Sequence, residues 1–329
     1  MSEQEQSGPA SEQRPTTSPE FAMATQPSYA QTLFLDAKGL RPGWGLAFYI
    51  IALLFLQKLA VDLAWARDLG SNGLWSMMLE EFGNFIAAAL PAIVLARVER
   101  RPWETYGLPL NARFGKLFVA GTAWGFAGIS VLMLALYGAH AFHFGHIVLH
   151  GARGARFAVF WAVMFLLVGC FEEFLFRGYT LFTLARGIRF WPAAIVLSAA
   201  FGLIHLRNGG EQWEGALAAA AIGFFFCFTL LRTGNLWFAV GFHAAWDWGE
   251  TFFYSVPDSG TVFPGHLLSS SLRGPAWLSG GSAGPEGSVL CFAVIALAWI
   301  ALDRVYPNHD ARPAALPATE SSSSLASSE

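Results

Sequence analysis

The sequence predicts an all-α fold, a polytopic membrane helical bundle with about eight transmembrane helices. Two observations carry that prediction. The 329 residues are 54% hydrophobic and only 13% charged, with 30 Phe and 13 Trp, whereas a soluble domain carries roughly 25% charged residues. The hydrophobic residues also gather into long runs, and no period of roughly 20–50 residues repeats, which sets aside solenoid and propeller folds.

Taken in order, residues 1–40 are rich in Ser, Gln, Glu, Pro and Thr and read as a disordered tail. They show no basic start followed by an apolar stretch, so a signal peptide is not predicted. Apolar runs at 43–65, 76–97 and 115–138 supply three spans, an accessory unit over 41–155. Runs at 157–185, 190–206, 214–232 and 235–254 supply four more, a core unit over 156–255. A Gly-, Ser- and Pro-rich loop, 256–285, separates these from an eighth run at 286–303, within a last unit 286–306. The Ser-rich end, 307–329, reads as a second disordered tail.

Thirteen Lys and Arg fall on the side of the N-terminus and five on the other, which predicts both termini cytoplasmic and the 256–285 loop external. A bacterial inner membrane, crossed several times, is the expected location, and its lipid bilayer the first partner. The net charge of −3 and the lack of a basic tail exclude nucleic acid as a partner. Cys170, Cys227 and Cys291 lie in apolar runs with no CxxC spacing, so neither disulfides nor thiolate metal sites are expected.

Ionisable residues inside spans are functional candidates by default, because burying them in hydrocarbon is costly. The fourth run carries Glu172, Glu173 and Arg177 in "FEEFLFRGY"; the fifth ends with His205 in "FGLIH"; the seventh holds His243 and Asp247 in "GFHAAWDWGE". Glu173 and Arg177 are four apart and pair on one helix face. Glu172 points about 100° away, with no basic residue at helical spacing, and is free to face other helices. Counted at 1.5 Å per residue from the intervening turns, Glu172 and His205 lie roughly 21–22 Å deep, His243 at about 12 Å and Asp247 at about 18 Å. Three helices thus bring carboxylates and imidazoles to compatible depth, a set suited to acid–base or metal-assisted hydrolysis. Each group also has a plainer reading, as a neutralised structural pair or as polar contacts between helices.

A separate cluster, "HAFHFGHIVLH", places His140, His143, His146 and His150 between the third and fourth runs. Such spacing gathers imidazoles on one helical face, as in metal sites. No carboxylate or cysteine accompanies them, and they read as a solvated or interfacial loop.

The three intramembrane motifs together resemble those of the CPBP intramembrane proteases, the group of CAAX prenyl endopeptidases and bacteriocin-processing enzymes also called ABI. "EEFLFRG" is similar to their E-E-x-x-x-R signature, "FGLIH" to F-x-x-x-H, and "HAAWD" to H-x-x-x-N/D, in the expected order. The resemblance covers roughly 155–255, and Asp247 stands where prenyl endopeptidases carry Asn. It implies peptide-bond hydrolysis within the membrane, on a peptide or a lipidated, membrane-anchored protein. Glu172 would activate water with help from His205, while His243 and Asp247 would polarise the scissile carbonyl. Glu173, Arg177 and Phe201 would support them.

The family is described both as metalloproteases and as metal-independent glutamate proteases, so the implied cofactor is none or zinc. Glu172, His205 and His243, with Asp247, are the residues that would hold zinc. The chain has no HExxH helix, and one glutamate serves poorly as both ligand and sole base, which favours metal-free catalysis. Two rival functions fit the sequence less well. A non-catalytic immunity or scaffold relative would have no need of Glu172. A proton-coupled transporter would show matched, broken repeats, and no such symmetry is visible.

Overall fold

Long apolar runs form helices because hydrocarbon offers no partner to backbone N–H and C=O groups, which must be satisfied within the segment. The computed structural model describes residues 29–36, 39–66, 73–111, 114–307 and 316. The greater part of both polar tails lies outside the described residues, as do Arg14, Lys38, Arg67, Arg113 and Arg312.

The described end of the first tail is built. A short helix α1 (Tyr29–Phe34) leads into β1 (Leu35–Asp36), which pairs antiparallel with β2 (Gly39–Leu40). The Phe34 ring packs 4.8 Å from that of Trp44, and Arg41 N–H donates to Phe34 O. Residues 29–36 and 39–40 therefore depart from the expected disordered tail, because aromatic side chains anchor them to the next helix. In the C-terminal segment, Leu316 is likewise buried in the core.

The helices that follow are α2 (Pro42–Ala66), α3 (Leu74–Val98) and α4 (Phe114–Gly138), then strand β3 (Phe142–His143). Next come α5 (Gly151–Arg177), α6 (Tyr179–Ile188), α7 (Phe190–His205), α8 (Trp213–Thr233) and α9 (Trp237–Trp248). A π-helical stretch, Gly249–Tyr254, continues α9. The chain closes with β4 (Ser271–Leu272), α10 (Ala276–Ser279) and α11 (Val289–Val305). Among the described residues, five stretches are long and apolar enough to cross a membrane: Pro42–Leu63, Leu74–Val98, Phe114–Gly138, Gly151–Ile188 and Trp213–Thr233. Their outward side chains, such as Ile51, Phe55, Val119, Leu134 and Val159, are exposed in the protein alone, as lipid-facing residues are. The protein is an integral, all-α membrane protein.

All eight expected apolar runs are helical: five are full-length spans and three form the shorter helices α7, α9 and α11, of 16, 12 and 17 residues. One expectation changes. The fourth run, expected as one helix over 157–185, breaks at Gly178 into α5 and α6. Apolarity continues on both sides of the break, so hydropathy does not mark it. Gly178 sits where any Cβ would run into the carbonyl oxygen of Phe174.

The main seam packs α4 against α9. Gly121 and Gly125 on α4 face the Phe238 and Phe242 carbonyls of α9, and Gly241 on α9 faces the Phe118 carbonyl, at distances that leave no room for a Cβ. This is the small-xxx-small contact that membrane helices use to approach closely. Around that seam, α5 packs on α9 and α3, and α8 on α7 and α11. The buried Glu99, just past α3, accepts from Tyr106 Oη (2.9 Å), Tyr179 Oη (3.2 Å) and Arg186 Nη1 (3.2 Å), which pins α6 to the end of α3.

The long loop after the π-helix folds back over the bundle. Strand β4 pairs antiparallel with β3, and Ile147 bridges to Leu268. The histidine cluster is thus extended backbone and not a helical face: His143 lies in β3, and His146 Nδ1 meets Ser269 Oγ at 2.8 Å. The imidazoles do not form a metal-ligating group among the described residues.

Candidate active site

A cavity of about 240 Å³ opens among α3, α5, α7, α8, α9 and the long loop. Its walls include Glu172, His205, His243 and Asp247, the four residues that sequence reasoning placed at compatible depth. The bundle brings them together from three helices.

Helix α5 sorts its two carboxylates by rotation, since adjacent helical residues point about 100° apart. Glu173 is fully buried and Glu172 faces the cavity, its side chain 24% exposed. Glu173 Oε1 accepts from Arg177 Nη1 at 3.1 Å and from His243 Nδ1–H at 2.9 Å. The expected Glu173–Arg177 pair is present, and it does more than expected, because the same oxygen holds the imidazole of α9. The Arg177 guanidinium lies 4.3 Å over the Phe201 ring, a cation–π contact within the apolar surroundings. Gly223 of α8 makes room for it, since a Cβ there would meet Arg177 Nη2.

With Nδ1 engaged, His243 turns Nε2 into the cavity, 3.6 Å from Glu172 Oε2 and 3.4 Å from Asp247 Oδ2. The imidazole stacks on Phe226, with centroids 5.8 Å apart. His205 is oriented in a parallel way. Its Nδ1 donates to the Phe201 carbonyl at 2.8 Å, one turn back, and its ring packs edge-on against Phe201 at 4.5 Å. Phe201 therefore contacts both His205 and Arg177.

Sequence reasoning missed several acidic residues. Glu81 of α3, and Asp258 and Glu286 of the long loop, also line the cavity. Glu81 lies inside an apolar run, and the rule that drew attention to Glu172 applies to it equally. Asp258 and Glu286 sit in a polar, Gly-rich segment that offers no periodicity to set them apart. Burial, with Asp247 and Glu286 close by, pushes the Asp258 carboxyl well above the usual range.

Zinc is the metal that the motif resemblance implies, and it can be tested against the donor set. Among the described residues, Glu172, His205 and His243 do not bring three ligand atoms within 4.8 Å of one another. Both imidazoles commit Nδ1 to a neighbour, as metal-bound histidines do, and His243 Nε2 approaches Glu172 and Asp247, yet no three of these four residues gather their ligand atoms into one set. The residues as placed do not fit a zinc centre.

Fold and site together define a polytopic membrane protein with a carboxylate–histidine centre among its helices. Residues 154–249 match the family model of the type II CAAX prenyl endopeptidase Rce1-like domain, in agreement with the CPBP motifs. The match runs from α5 into the first residue of the π-helix and takes in all four residues of the centre. No curated protein and no solved structure matches the chain.

Proposed function

We propose that the protein is an intramembrane endopeptidase that hydrolyses a peptide bond in a peptide or a lipidated, membrane-anchored substrate. The observation that carries this reading is the division of labour on α5. Glu173 is tied to Arg177 and His243, while Glu172 faces the cavity and, among the described residues, pairs with no Lys or Arg.

In this reading Glu172 takes a proton from a water molecule held between it and His205. The water oxygen bonds to the scissile carbonyl carbon, and negative charge develops on the carbonyl oxygen. His243, with Nδ1–H fixed on Glu173, presents Nε2–H to that oxyanion, and Asp247 orients the ring from one turn away. Donors aimed in advance at developing charge often supply the greatest share of the rate enhancement in such catalysis. Glu172 then delivers its proton to the leaving nitrogen as the C–N bond breaks, which restores the carboxylate. No step requires zinc.

The test compares the membrane peptidome of cells carrying wild-type protein with that of Glu172→Ala. Precursors should accumulate, and shortened products disappear, in the variant; identical peptidomes would overturn the reading. Purified wild-type protein should hold far less than one zinc per chain and cleave an identified substrate in the presence of chelator. Stoichiometric zinc with chelator-sensitive, zinc-restored activity would refute the metal-free mechanism while leaving the protease assignment in place.

A further inference from the structure

Beside the proposed catalytic centre, Glu250, Asp258 and Glu286 place one oxygen each within 4.8 Å of one another. They come from separate segments: Glu250 from the π-helical continuation of α9, Asp258 from the start of the long loop, and Glu286 from its end. Like charges so close, and so buried, repel strongly unless something neutralises them. Among the described residues no Lys, Arg or His forms an ion pair with any of the three.

An independent observation points to a ligand. Glu250 is 0% exposed, and neither of its carboxylate oxygens has a hydrogen-bond partner, the nearby Trp246 Nε1–H being given to Glu286. Buried carboxylates are seldom left without partners, and a buried, unpartnered carboxylate with an oxygen set in an acidic cluster calls for a cation. The other two carboxylates are held in place from outside the cluster. Asp258 Oδ2 accepts from Thr251 Oγ1 at 3.0 Å; Glu286 accepts from Trp246 Nε1 at 3.2 Å and from Ser259 Oγ at 2.7 Å. Each keeps oxygen lone pairs free.

We propose that Glu250, Asp258 and Glu286 bind a hard divalent cation of the calcium type, which ties the end of α9 to both ends of the long loop. The donor set is all oxygen, with no imidazole or thiolate, which selects against zinc and copper. Calcium takes six to eight oxygens in flexible geometry, whereas magnesium demands a near-ideal octahedron and keeps its waters. Three carboxylates on separately adjustable segments suit the larger ion. The cation would offset most of the cluster's charge and fasten the loop over the cavity that holds His243 and Asp247.

The experiment uses full-length protein in detergent, stripped with EGTA, and reads stability and luminescence, so its outcome does not depend on proteolysis. Millimolar calcium should raise the Tm of wild type by several degrees and should not raise that of Glu250→Gln or Asp258→Asn. Terbium should give luminescence on tryptophan excitation through the nearby Trp246, displaced by calcium and absent in Glu250→Gln. Should that variant fail to fold, Glu286→Gln, at a partly exposed position, takes its place. A wild type without a calcium-dependent Tm shift, or an equal shift in the variants, would overturn the site. The carboxylates would then be held neutral by protons, and Glu250→Gln would leave stability unchanged or raise it.

Discussion

At the scale of single residues, the deciding feature is one carboxylate oxygen. Glu173 Oε1 joins Arg177 on its own helix to His243 on α9, and the Glu173 and Arg177 side chains are fully buried. Removing one partner of a buried charge pair costs about 3–5 kcal/mol, because the other charge is stranded. Arg177→Ala should therefore lose folded protein and Tm in detergent, while Glu172→Gln keeps the wild-type Tm and loses cleavage. Equal thermal unfolding of Arg177→Ala and wild type would refute this. Asp247, 3.4 Å from His243 Nε2, gives a second prediction. Asp247→Ala should cut turnover by about 10²–10³, the usual loss when oxyanion stabilisation is impaired. Asp247→Asn, which keeps the shape and gains a donor, should retain much more. Full activity in Asp247→Ala, on a peptide that wild type cleaves, would make Asp247 a packing residue only. The sequence made these residues legible because ionisable groups stand out against Phe and Leu. It did not show that Glu173 holds His243, since that contact joins residues 70 positions apart in the chain and depends on the rotation of two helices.

At the scale of elements, the α4–α9 seam fixes the depth of the imidazole. Gly125 meets the Phe242 carbonyl, and Phe242 is the residue before His243. A methyl group at Gly125 must push the two helices apart, and overpacking of this kind costs about 1–3 kcal/mol. Gly125→Ala should lower both Tm and cleavage, whereas Gly115→Ala on the same helix, with nothing within 4 Å of the added carbon, should do neither. Parallel behaviour of the two variants in thermal unfolding and cleavage would refute the seam's role. Helix positions were legible because apolar runs near the required length are rare outside membranes. Their interruptions were not. The break at Gly178 has apolar sequence on both sides, and the switch to a π-helix at Gly249 falls where the helix runs on without a Pro or a turn signal. π-helical turns often accompany functional sites, and this one carries Glu250.

At the scale of the whole molecule, the distribution of Lys and Arg orients the chain, and we expect both termini in the cytoplasm with the long loop outside. Val262, 70% exposed in that loop, provides a test, with Ser327 in the tail as its counterpart. On intact cells an impermeant maleimide should label Val262→Cys and reach Ser327→Cys only after lysis. The native Cys227 and Cys291 are buried and Cys170 only partly accessible, so background is low. Labelling of both positions from the same side would reject the topology. The cavity itself has two origins. Glu172, His205, His243 and Asp247 come from the segment that matches the family, 154–249, while Met77 and Glu81 of α3, and Asp258, Ser259 and Glu286 of the loop, lie outside it. Under the proposed function, the reacting groups therefore come from one stretch of chain, and part of the wall that a substrate would meet comes from others.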